Sequence, residues 1–121
     1  MIKKKSGKII NISSIFGSVS RSMRSSYSSS KFGIRGLTKS SALDLAGKNI
    51  LVNSISPGFV ETKLTRTILK KSGIAKIKKE IPVNRLGKVS EIAYLTLFLA
   101  SNYNTYITGQ DILIDGGFTS K

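Results

Sequence analysis

The sequence predicts an α/β protein built on a parallel β-sheet. Three short apolar runs, at residues 7–13, 49–56 and 111–115, are each bounded by glycine, serine or proline, and stretches with helical spacing separate them. Strands that alternate with helices imply crossover connections, which lay helices on both faces of a parallel sheet. Three strands are few, because sheets usually have about 4–6. The 121 residues therefore indicate one domain that forms part of a sheet.

The first strand and helix follow from the amino-terminal third of the chain. The run "GKIINIS" is rich in isoleucine, which is typical of a strand buried on both faces. Residues 14–26 contain Gly17 and many serines and are predicted to be a loop. A helix is predicted over residues 25–46, with Gly47 as its stop. Its apolar residues at near-helical spacing are Phe32, Leu37, Ala42, Leu43 and Leu45.

The remaining elements are predicted in the same way. "NILVNSIS" is a second buried strand, which ends at Pro57-Gly58. The basic residues 61–79 predict one or two short helices with Gly73 as a break. "VSEIAYLTLFLAS" predicts a helix with Ser90 as N-cap. "DILID" predicts the third strand, closed by two glycines.

Composition excludes several kinds of chemistry. The chain has no cysteine and no histidine, so disulfides, thiolate metal sites and histidine bases are excluded, and we expect no metal. No run of about 18 apolar residues indicates a membrane span, and "MIKKKSGKII" lacks the apolar stretch of a signal peptide. We expect a soluble, cytoplasmic protein whose chemistry uses serine, tyrosine, lysine, carboxylates or a cofactor.

The charge of the chain is strongly positive. Lysine and arginine number 20 against 6 acidic residues, a formal net charge of +14, and residues 63–79 contain seven basic residues and no acid. Such a patch attracts nucleic acid, phosphate groups or an acidic protein. It is also what a solvated surface of a lysine-rich protein looks like. The sequence leaves both interpretations open.

Tyr27 and Lys31 have the spacing of a proton-transfer pair. On a helix, residues four apart share a face, with Cβ atoms about 5–6 Å apart. A neighbouring ammonium stabilises a phenolate and so makes a phenol a better acid or base near neutral pH. A serine hydroxyl nearby could hold a carbonyl oxygen against the phenol. Such a trio suits carbonyl reduction or alcohol oxidation, in which a cofactor supplies the hydride.

Four motifs together identify a family that this chain resembles. They are "GKIINISSIFG", then "YSSSK", then "NILVNSISPGFVET", then "YITGQDILIDGG". In this order and spacing they resemble the short-chain dehydrogenase/reductase family over nearly the whole chain. "PGFVET" is most similar to the 3-oxoacyl-[acyl-carrier-protein] reductase branch. The spacing Tyr-x-x-x-Lys alone is weak, because a chain with this many lysines produces it readily by chance.

The resemblance implies a catalytic set of Ser14, Tyr27 and Lys31. The family's active serine precedes its tyrosine by thirteen residues, which selects Ser14, although Ser13 competes and only spacing decides. Ser14 would orient the substrate carbonyl, and Tyr27 would donate the proton. Lys31 would support the tyrosine and hydrogen-bond the nicotinamide ribose.

The resemblance also implies cofactor contacts after the second strand. Beside Tyr27 and Lys31, the cofactor-binding residues would be Asn11, Pro57, Gly58, Val60 and Thr62. Alone, Pro-Gly indicates an ordinary turn, and Asn11 is equally a plain strand-end residue. The cofactor would be NAD(P)H, with NAD and NADP not distinguished. The substrate would be a small carbonyl or alcohol compound, either anionic or linked to a carrier protein.

The chain contains no G-x-G-x-x-G turn, which in this family belongs to the first strands of a Rossmann fold. We therefore expect residues 1–121 to form a single partial domain, the C-terminal half of a Rossmann-type doubly wound parallel sheet, incomplete at its N-terminal side. Residues 61–88 would be the variable substrate-side segment. We expect a fragment, a remnant gene or one partner of a split enzyme, inactive alone.

The expected partners follow from the same resemblance. Family members form dimers or tetramers, so we expect a homo-oligomer or pairing with an N-terminal half, with no membrane partner. The alternative function is a basic, non-catalytic binding module for nucleic acid or an acidic protein. We favour the oxidoreductase, because the chain lacks a nucleic-acid-binding fold and an aromatic stacking platform.

Overall fold

The computed structural model describes residues 1–120 and contains three strands and three α-helices. The strands form one parallel sheet in the order β1-β2-β3. The predicted fold class, three parallel strands with flanking helices, is confirmed. Along the chain the elements are β1 (Gly7–Ile12), α1 (Ser25–Ala46), β2 (Ile50–Pro57), α2 (Lys63–Glu80), α3 (Val89–Ala100) and β3 (Asp111–Ile114), with 3₁₀ turns at Ile2–Lys4 and Ile15–Gly17.

The sheet brings the loops after β1 and β2 to one edge. β1 runs parallel to β2 with Gly7 opposite Ile50, and β2 runs parallel to β3 with Ser54 opposite Asp111. The carboxyl ends of all three strands therefore lie on the same side, where open α/β sheets bind ligands. Ser13 extends the first pairing, because its N–H donates to the Ile55 carbonyl at 2.8 Å.

Burial differs between the two long strands. Residues 50–56 of β2 are all buried, as predicted. β1 is only half-buried, and Ile12 is 50% exposed, so the prediction of a strand buried on both faces is wrong for β1. The reason is position, because within residues 1–120 β1 pairs with β2 alone and forms an edge of the sheet.

Helix α1 packs on β2 through small side chains. Its buried residues are Ser28, Thr38 and Ala42, and Ala42 forms a core cluster with Ile50 and Val52. Small residues let the helix backbone approach the sheet closely. Of the predicted apolar positions, Ala42 and Leu45 pack in this cluster, whereas the side chains of Phe32, Leu37 and Leu43 are exposed. The helix ends at Gly47 as predicted.

Helices α2 and α3 begin and break at residues other than those predicted. α2 has a non-helical residue at Lys70 (φ 52°, ψ 179°), and the predicted break at Gly73 is wrong. α3 has Lys88 as its N-cap instead of Ser90. The Glu91 carboxylate accepts the Lys88 N–H at 2.7 Å, so a side chain three residues inside the helix satisfies this end.

The face of the sheet opposite α1 is covered by α3 and the turn after it. Asn53 alternates with Val52 along β2 and so points away from α1. Its amide donates to the carbonyl of Ile107, in the turn between α3 and β3, at 2.8 Å. The sheet is therefore covered on both faces. No helix within residues 1–120 is long and apolar enough to cross a membrane.

A second core cluster supports the carboxyl edge of the sheet. It joins the turn after β1, the end of α2 and the last turn of the chain, and its members are Ile15, Ile77, Ile81, Leu86 and Phe118. Phe16, Phe59 and Leu69 pack against it. This cluster fixes the loops that carry the candidate site.

Candidate active site

A cavity of about 320 Å³ opens at the carboxyl edge of the sheet. Four segments enclose it: the turn after β1, the start of α1, the loop after β2 and the first half of α2. The lining residues are Ser14, Ile15, Phe16, Arg24, Tyr27, Gly58, Phe59, Val60, Leu64, Thr65, Ile68 and Leu69. Ser14 and Tyr27, which the sequence predicts to act together, therefore share one cavity.

The two candidate serines have different surroundings. The Ser13 hydroxyl donates to the Lys31 carbonyl at 3.0 Å, which ties the end of β1 to α1. The Ser14 side chain lines the cavity, and its oxygen accepts the Phe16 N–H at 3.2 Å. Because that oxygen only accepts, the Ser14 O–H remains a donor for a substrate oxygen.

Tyr27 and Lys31 lie one turn apart on α1, as their spacing predicts. The Lys31 Nζ atom is 5.6 Å from the centroid of the Tyr27 ring. Nζ also donates to the Ile12 carbonyl at 3.1 Å, so Lys31 fixes the end of β1 to the helix. The Tyr27 ring meets the Phe16 ring edge-on, with centroids 6.1 Å apart. The Tyr27 ring therefore contacts Phe16 and lies near Lys31 while remaining 44% exposed.

Gly17 allows the turn after β1 to lie against α1. A Cβ atom at this position would be 2.8 Å from Ser13 Oγ and 2.9 Å from the Lys31 carbonyl oxygen. Both distances are shorter than real Cβ contacts, so any larger residue must displace the turn or the helix. This close approach brings Ser14 and Tyr27 to the same cavity.

The loop after β2 forms another wall of the cavity. Pro57 is the last residue of β2 and lies opposite Ile114. The Gly58 N–H donates to the Ile114 carbonyl at 3.0 Å, and a Cβ at Gly58 would lie 2.8 Å from Asp115 Cα. Gly58 and Val60 both line the cavity.

Two further predicted cofactor residues, Asn11 and Thr62, have structural partners. The Asn11 amide donates to Thr38 Oγ1 on α1 at 2.9 Å. Thr62 is the N-cap of α2, because its Oγ1 accepts the Thr65 N–H at 3.1 Å. Neither residue lines the cavity. Of the predicted site residues, four line the cavity and four do not. Those that line it are Ser14, Tyr27, Gly58 and Val60, and those that do not are Lys31, Pro57, Asn11 and Thr62.

The structure contains an ionic network next to the site that the sequence analysis does not predict. Arg35 lies one turn beyond Lys31 on α1, and its Nη1 atom donates to the Gly17 carbonyl at 2.6 Å and to Ser18 Oγ at 3.1 Å. Its Nε atom is 3.0 Å from the Asp111 carboxylate, which also accepts the hydroxyls of Ser54 and Ser56. The i, i+4, i+8 spacing of Tyr27, Lys31 and Arg35 is the sequence signal that could have indicated it.

Arg21 lies beside the cavity, near the rings of Phe59 and Phe118. The Phe59 ring meets Phe16 and Phe118 edge-on, at centroid distances of 6.3 and 5.4 Å. The Arg21 guanidinium lies 5.3 Å from the Phe118 centroid and pairs with Glu80. Arg21 therefore connects the turn after β1 with the end of α2.

A smaller cavity of about 150 Å³ lies between the loop after β2 and the start of α3. The side-chain hydrogen bond from Arg85, together with the Lys88 N–H, lowers the pKa of Glu91 to about 2 from its usual 4.5. Burial would raise the pKa of Asp115, but hydrogen bonds from Thr119 and the Gly117 N–H lower it below its usual value. Each of the four carboxylate oxygens therefore already accepts a hydrogen bond from the protein.

Comparison with known proteins identifies the family. A family model described as enoyl-(acyl carrier protein) reductase matches residues 1–119. The 3-oxoacyl-[acyl-carrier-protein] reductase of Thermotoga maritima is 44% identical over 117 residues. The chain belongs to the short-chain dehydrogenase/reductase family. A trans-4-hydroxycyclohexanecarboxylate dehydrogenase from Sinomonas cyclohexanicum is also 44% identical, over 119 residues.

This short-chain dehydrogenase/reductase chain spans about half the length of the relatives it matches. The Thermotoga maritima match covers 97% of this chain and 47% of the relative, and the Sinomonas match covers 98% and 44%. A structure described as ElxO with NADP bound has a TM-score of 0.93 at 34% identity and covers all of this chain and 50% of that one. A gluconate 5-dehydrogenase from Burkholderia cenocepacia, in complex with NADP and tartrate, has a TM-score of 0.93 at 35% identity, covering 99% and 48%.

Proposed function

We propose that this chain supplies the proton-transfer half of an NAD(P)-dependent oxidoreductase that interconverts carbonyls and alcohols. The observation that carries the proposal is that Ser14 and Tyr27 line one cavity while Lys31 Nζ lies 5.6 Å from the Tyr27 ring. The cavity opens at the carboxyl ends of parallel strands, where ligands of such sheets bind.

The three side chains have distinct roles in the proposed reaction. The Ser14 hydroxyl donates a hydrogen bond to the carbonyl oxygen and orients it. The Tyr27 hydroxyl gives that oxygen a proton during reduction and takes one from the alcohol during oxidation. The Lys31 ammonium stabilises the phenolate that remains after the proton has left. When bound, the nicotinamide supplies or accepts the hydride.

The residues present fit the nicotinamide and ribose end of an NAD(P) cofactor. Lys31 Nζ has three N–H groups and uses one on the Ile12 carbonyl, so two remain to hold ribose hydroxyls. Gly58 keeps the loop after β2 against Asp115, which leaves the cavity wall without a protruding side chain at that point. Pro57, Gly58, Val60 and Thr62 would hold the nicotinamide end, and Asn11 would contribute from the end of β1. Two relatives of known structure carry NADP, which makes NADPH the first cofactor to test.

We further propose that turnover needs a second, dinucleotide-binding part with a glycine-rich strand-turn-helix. These 121 residues contain no G-x-G-x-x-G turn. Within residues 1–120, β1 leaves one edge unpaired and Ile12 half exposed, which is the place for another strand. The exposed Phe32, Leu37 and Leu43 of α1 provide an apolar surface for a homo-oligomer.

The substrate in this proposal is a small carbonyl or alcohol compound that is anionic or attached to a carrier protein. All seven basic residues of α2 are exposed, and within residues 1–120 only Arg66 among them pairs with a carboxylate. Their field would favour an anion that approaches the cavity over the first half of α2.

Reconstitution tests the proposed activity. The chain is co-expressed with the half of the Thermotoga maritima reductase that it does not match, and NADPH oxidation is followed with ethyl acetoacetate. We expect ketone-dependent oxidation that Ser14→Ala lowers by about 10²–10³-fold, the effect of losing one oxyanion donor. Ser13→Ala is the matched control and should cost far less. A co-purifying complex without ketone-dependent oxidation would refute the proposal.

The alternative function, a basic module that binds nucleic acid or an acidic protein, rests on the exposed α2 lysines alone. Binding through phosphate neutralisation weakens steeply with salt. Submicromolar, salt-dependent binding to random oligonucleotides would support this alternative. A flat titration at 50 mM salt would remove it.

A further inference from the structure

Arg24 brings a charge into the candidate active site. It directly precedes α1 and lines the same cavity as Ser14 and Tyr27. Among residues 1–120 it is the only charged residue that lines this cavity. The other lining residues are apolar or carry hydroxyls, apart from Gly58, so no carboxylate of the cavity neutralises the guanidinium.

Arg24 also differs from every other arginine of the chain. The sequence has five arginines, and four of them pair with a carboxylate: Arg21 with Glu80, Arg35 with Asp111, Arg66 with Glu61 and Arg85 with Glu91. Within residues 1–120 the Arg24 side chain has no ion pair or hydrogen bond. Its five N–H donors are therefore available to a ligand.

The chemistry of a guanidinium specifies the ligand group. Its planar fork matches a carboxylate with two parallel hydrogen bonds, which gives orientation as well as affinity. Arg24 is the N-cap of α1, three residues before Tyr27, and both residues line one cavity of about 320 Å³. A small ligand that fills this cavity can therefore reach Tyr27 with its carbonyl and Arg24 with its acid group.

We infer that the cavity takes oxo carboxylates and the corresponding hydroxy carboxylates, with Arg24 as the residue that binds the carboxylate. The inference rests on the proposed function and makes the substrate more specific. The reacting carbonyl lies between Ser14 and Tyr27, and the acid group one or two carbons away meets Arg24. The short alkyl end faces Leu64 and Ile68 of α2. A carrier-linked acyl thioester has no charge so close to its carbonyl and gains nothing from Arg24.

Ligand titration of the 121-residue chain tests this inference without turnover. The probes are acetoacetate and ethyl acetoacetate, which share the ketone and differ in charge, with acetate as a control for unspecific carboxylate binding. Amide and Arg Nε–Hε signals are followed in ¹⁵N-correlated NMR spectra at constant ionic strength. Acetoacetate should shift the Arg24 and Tyr27 signals to saturation, and the ester should bind roughly tenfold or more weakly.

Three variants make the test specific. Arg24→Gln should weaken acetoacetate binding roughly tenfold or more and leave ester binding unchanged. Arg24→Lys keeps the charge without the fork and should fall between. Lys48→Gln is the control, because it removes one positive charge just beyond the C-terminal end of α1. A helix of 22 residues is about 33 Å long, so this charge is far from Arg24, and the affinities for acetoacetate and its ester should both stay unchanged. Equal binding of acid and ester, or acetoacetate binding that Arg24→Gln leaves intact, would overturn the inference.

Turnover by the reconstituted complex separates the two proposals. If both hold, the ratio of kcat/KM for acetoacetate to that for its ester falls at least tenfold in Arg24→Gln. Reduction of both compounds at equal efficiency, or of a carrier-linked acetoacetyl thioester in preference to the acid, would contradict the role of Arg24 and leave the oxidoreductase intact. Specific binding of acetoacetate without reduction of any ketone would contradict the oxidoreductase and leave the carboxylate site.

Discussion

Removal of the Asp111 carboxylate should destabilise the fold far more than removal of an exposed carboxylate with the same pairing distance. The Asp111 side chain is 5% exposed, and its oxygens lie 3.0 Å from Arg35 Nε and 2.6 and 2.8 Å from the hydroxyls of Ser54 and Ser56. Asp111→Ala leaves the partly buried guanidinium without its counter-ion, although Gly17 O and Ser18 Oγ still accept from Nη1, and leaves two buried hydroxyls without their acceptor.

The size of the effect follows from burial. Breaking a buried ion pair by removing one partner costs about 3–5 kcal/mol. Domains of this size are stable by roughly 5–15 kcal/mol, so the change consumes a large part of the total. With a urea m-value of about 1–3 kcal/mol per M, we expect the unfolding midpoint of Asp111→Ala to fall by roughly 2 M.

Glu61 provides the matched control. It lies 3.0 Å from Arg66, the same distance as in the Arg35–Asp111 pair, but the side chains are 52% and 67% exposed. Exposed pairs contribute about 0–1 kcal/mol, so Glu61→Ala should barely move the midpoint. The assay is urea unfolding followed by far-UV circular dichroism on the three proteins at one pH and salt concentration. Equal midpoints for the two variants would refute the assignment of Asp111 as the buried acceptor of this network.

Three further predictions concern packing, acid stability and assembly. Gly17→Ala should lower the free energy of unfolding by about 1–3 kcal/mol, because its Cβ would meet Lys31 O at 2.9 Å. Gly36→Ala, whose Cβ would have nothing within 4 Å, should raise the free energy of unfolding by about 0.5–1 kcal/mol. Thermal unfolding temperatures that move in the same direction in both variants would count against this packing. The pKa of Glu91 is about 2 in the folded protein and ordinarily 4.5, so the ionised carboxylate stabilises the fold above about pH 4.5 and this stabilisation is lost as the pH falls toward 2. In Glu91→Gln the unfolding temperature should therefore fall less steeply between pH 4.5 and 2. An unchanged pH dependence of the unfolding temperature would contradict the lowered pKa of Glu91. Leu37→Glu should lower the oligomer mass in sedimentation, and an unchanged mass would exclude the exposed face of α1 as an interface.

The fold was largely predictable because the strands have clear boundaries. Isoleucine-rich runs between glycine, serine and proline predict all three strands, and the parallel order follows from the helices between them. The incomplete burial of β1 was not predictable from its own residues, because a run that predicts a strand does not say which neighbours the strand has; only the missing first strands of the family's sheet indicate an unpaired edge there. The helix signals also misled at two points. Lys70 breaks α2 although Gly73 is the weaker helix former, and Glu91 satisfies the start of α3 from inside the helix, which Ser90 does not reveal.

The candidate site was predictable where chemistry and spacing coincide. The pair of Tyr27 and Lys31 follows from helical spacing, whereas Ser14 follows only from the family's spacing. The structure adds that Ser13 is used by the Lys31 carbonyl. The Arg35–Asp111 pair escaped prediction because its members are 76 positions apart in the sequence and meet only through the sheet register. That Arg24 has no ion pair within residues 1–120 is likewise visible only in the structure, where each of the other four arginines pairs with a carboxylate.

The most direct test of the central claim is deuteride transfer in a single turnover by the reconstituted complex. The complex is loaded with NADPH deuterated at the reactive C4 position, and deuterium at the carbonyl carbon of the ketone is measured over time. Tyr27→Phe keeps the ring beside Phe16 and should lower the rate by about 10²–10⁴-fold, the contribution of a general acid. Tyr106→Phe, at a tyrosine that is 94% exposed and does not line the cavity, should transfer at the parent rate. Equal rates for the parent and Tyr27→Phe would contradict the proposal that this phenol supplies the proton.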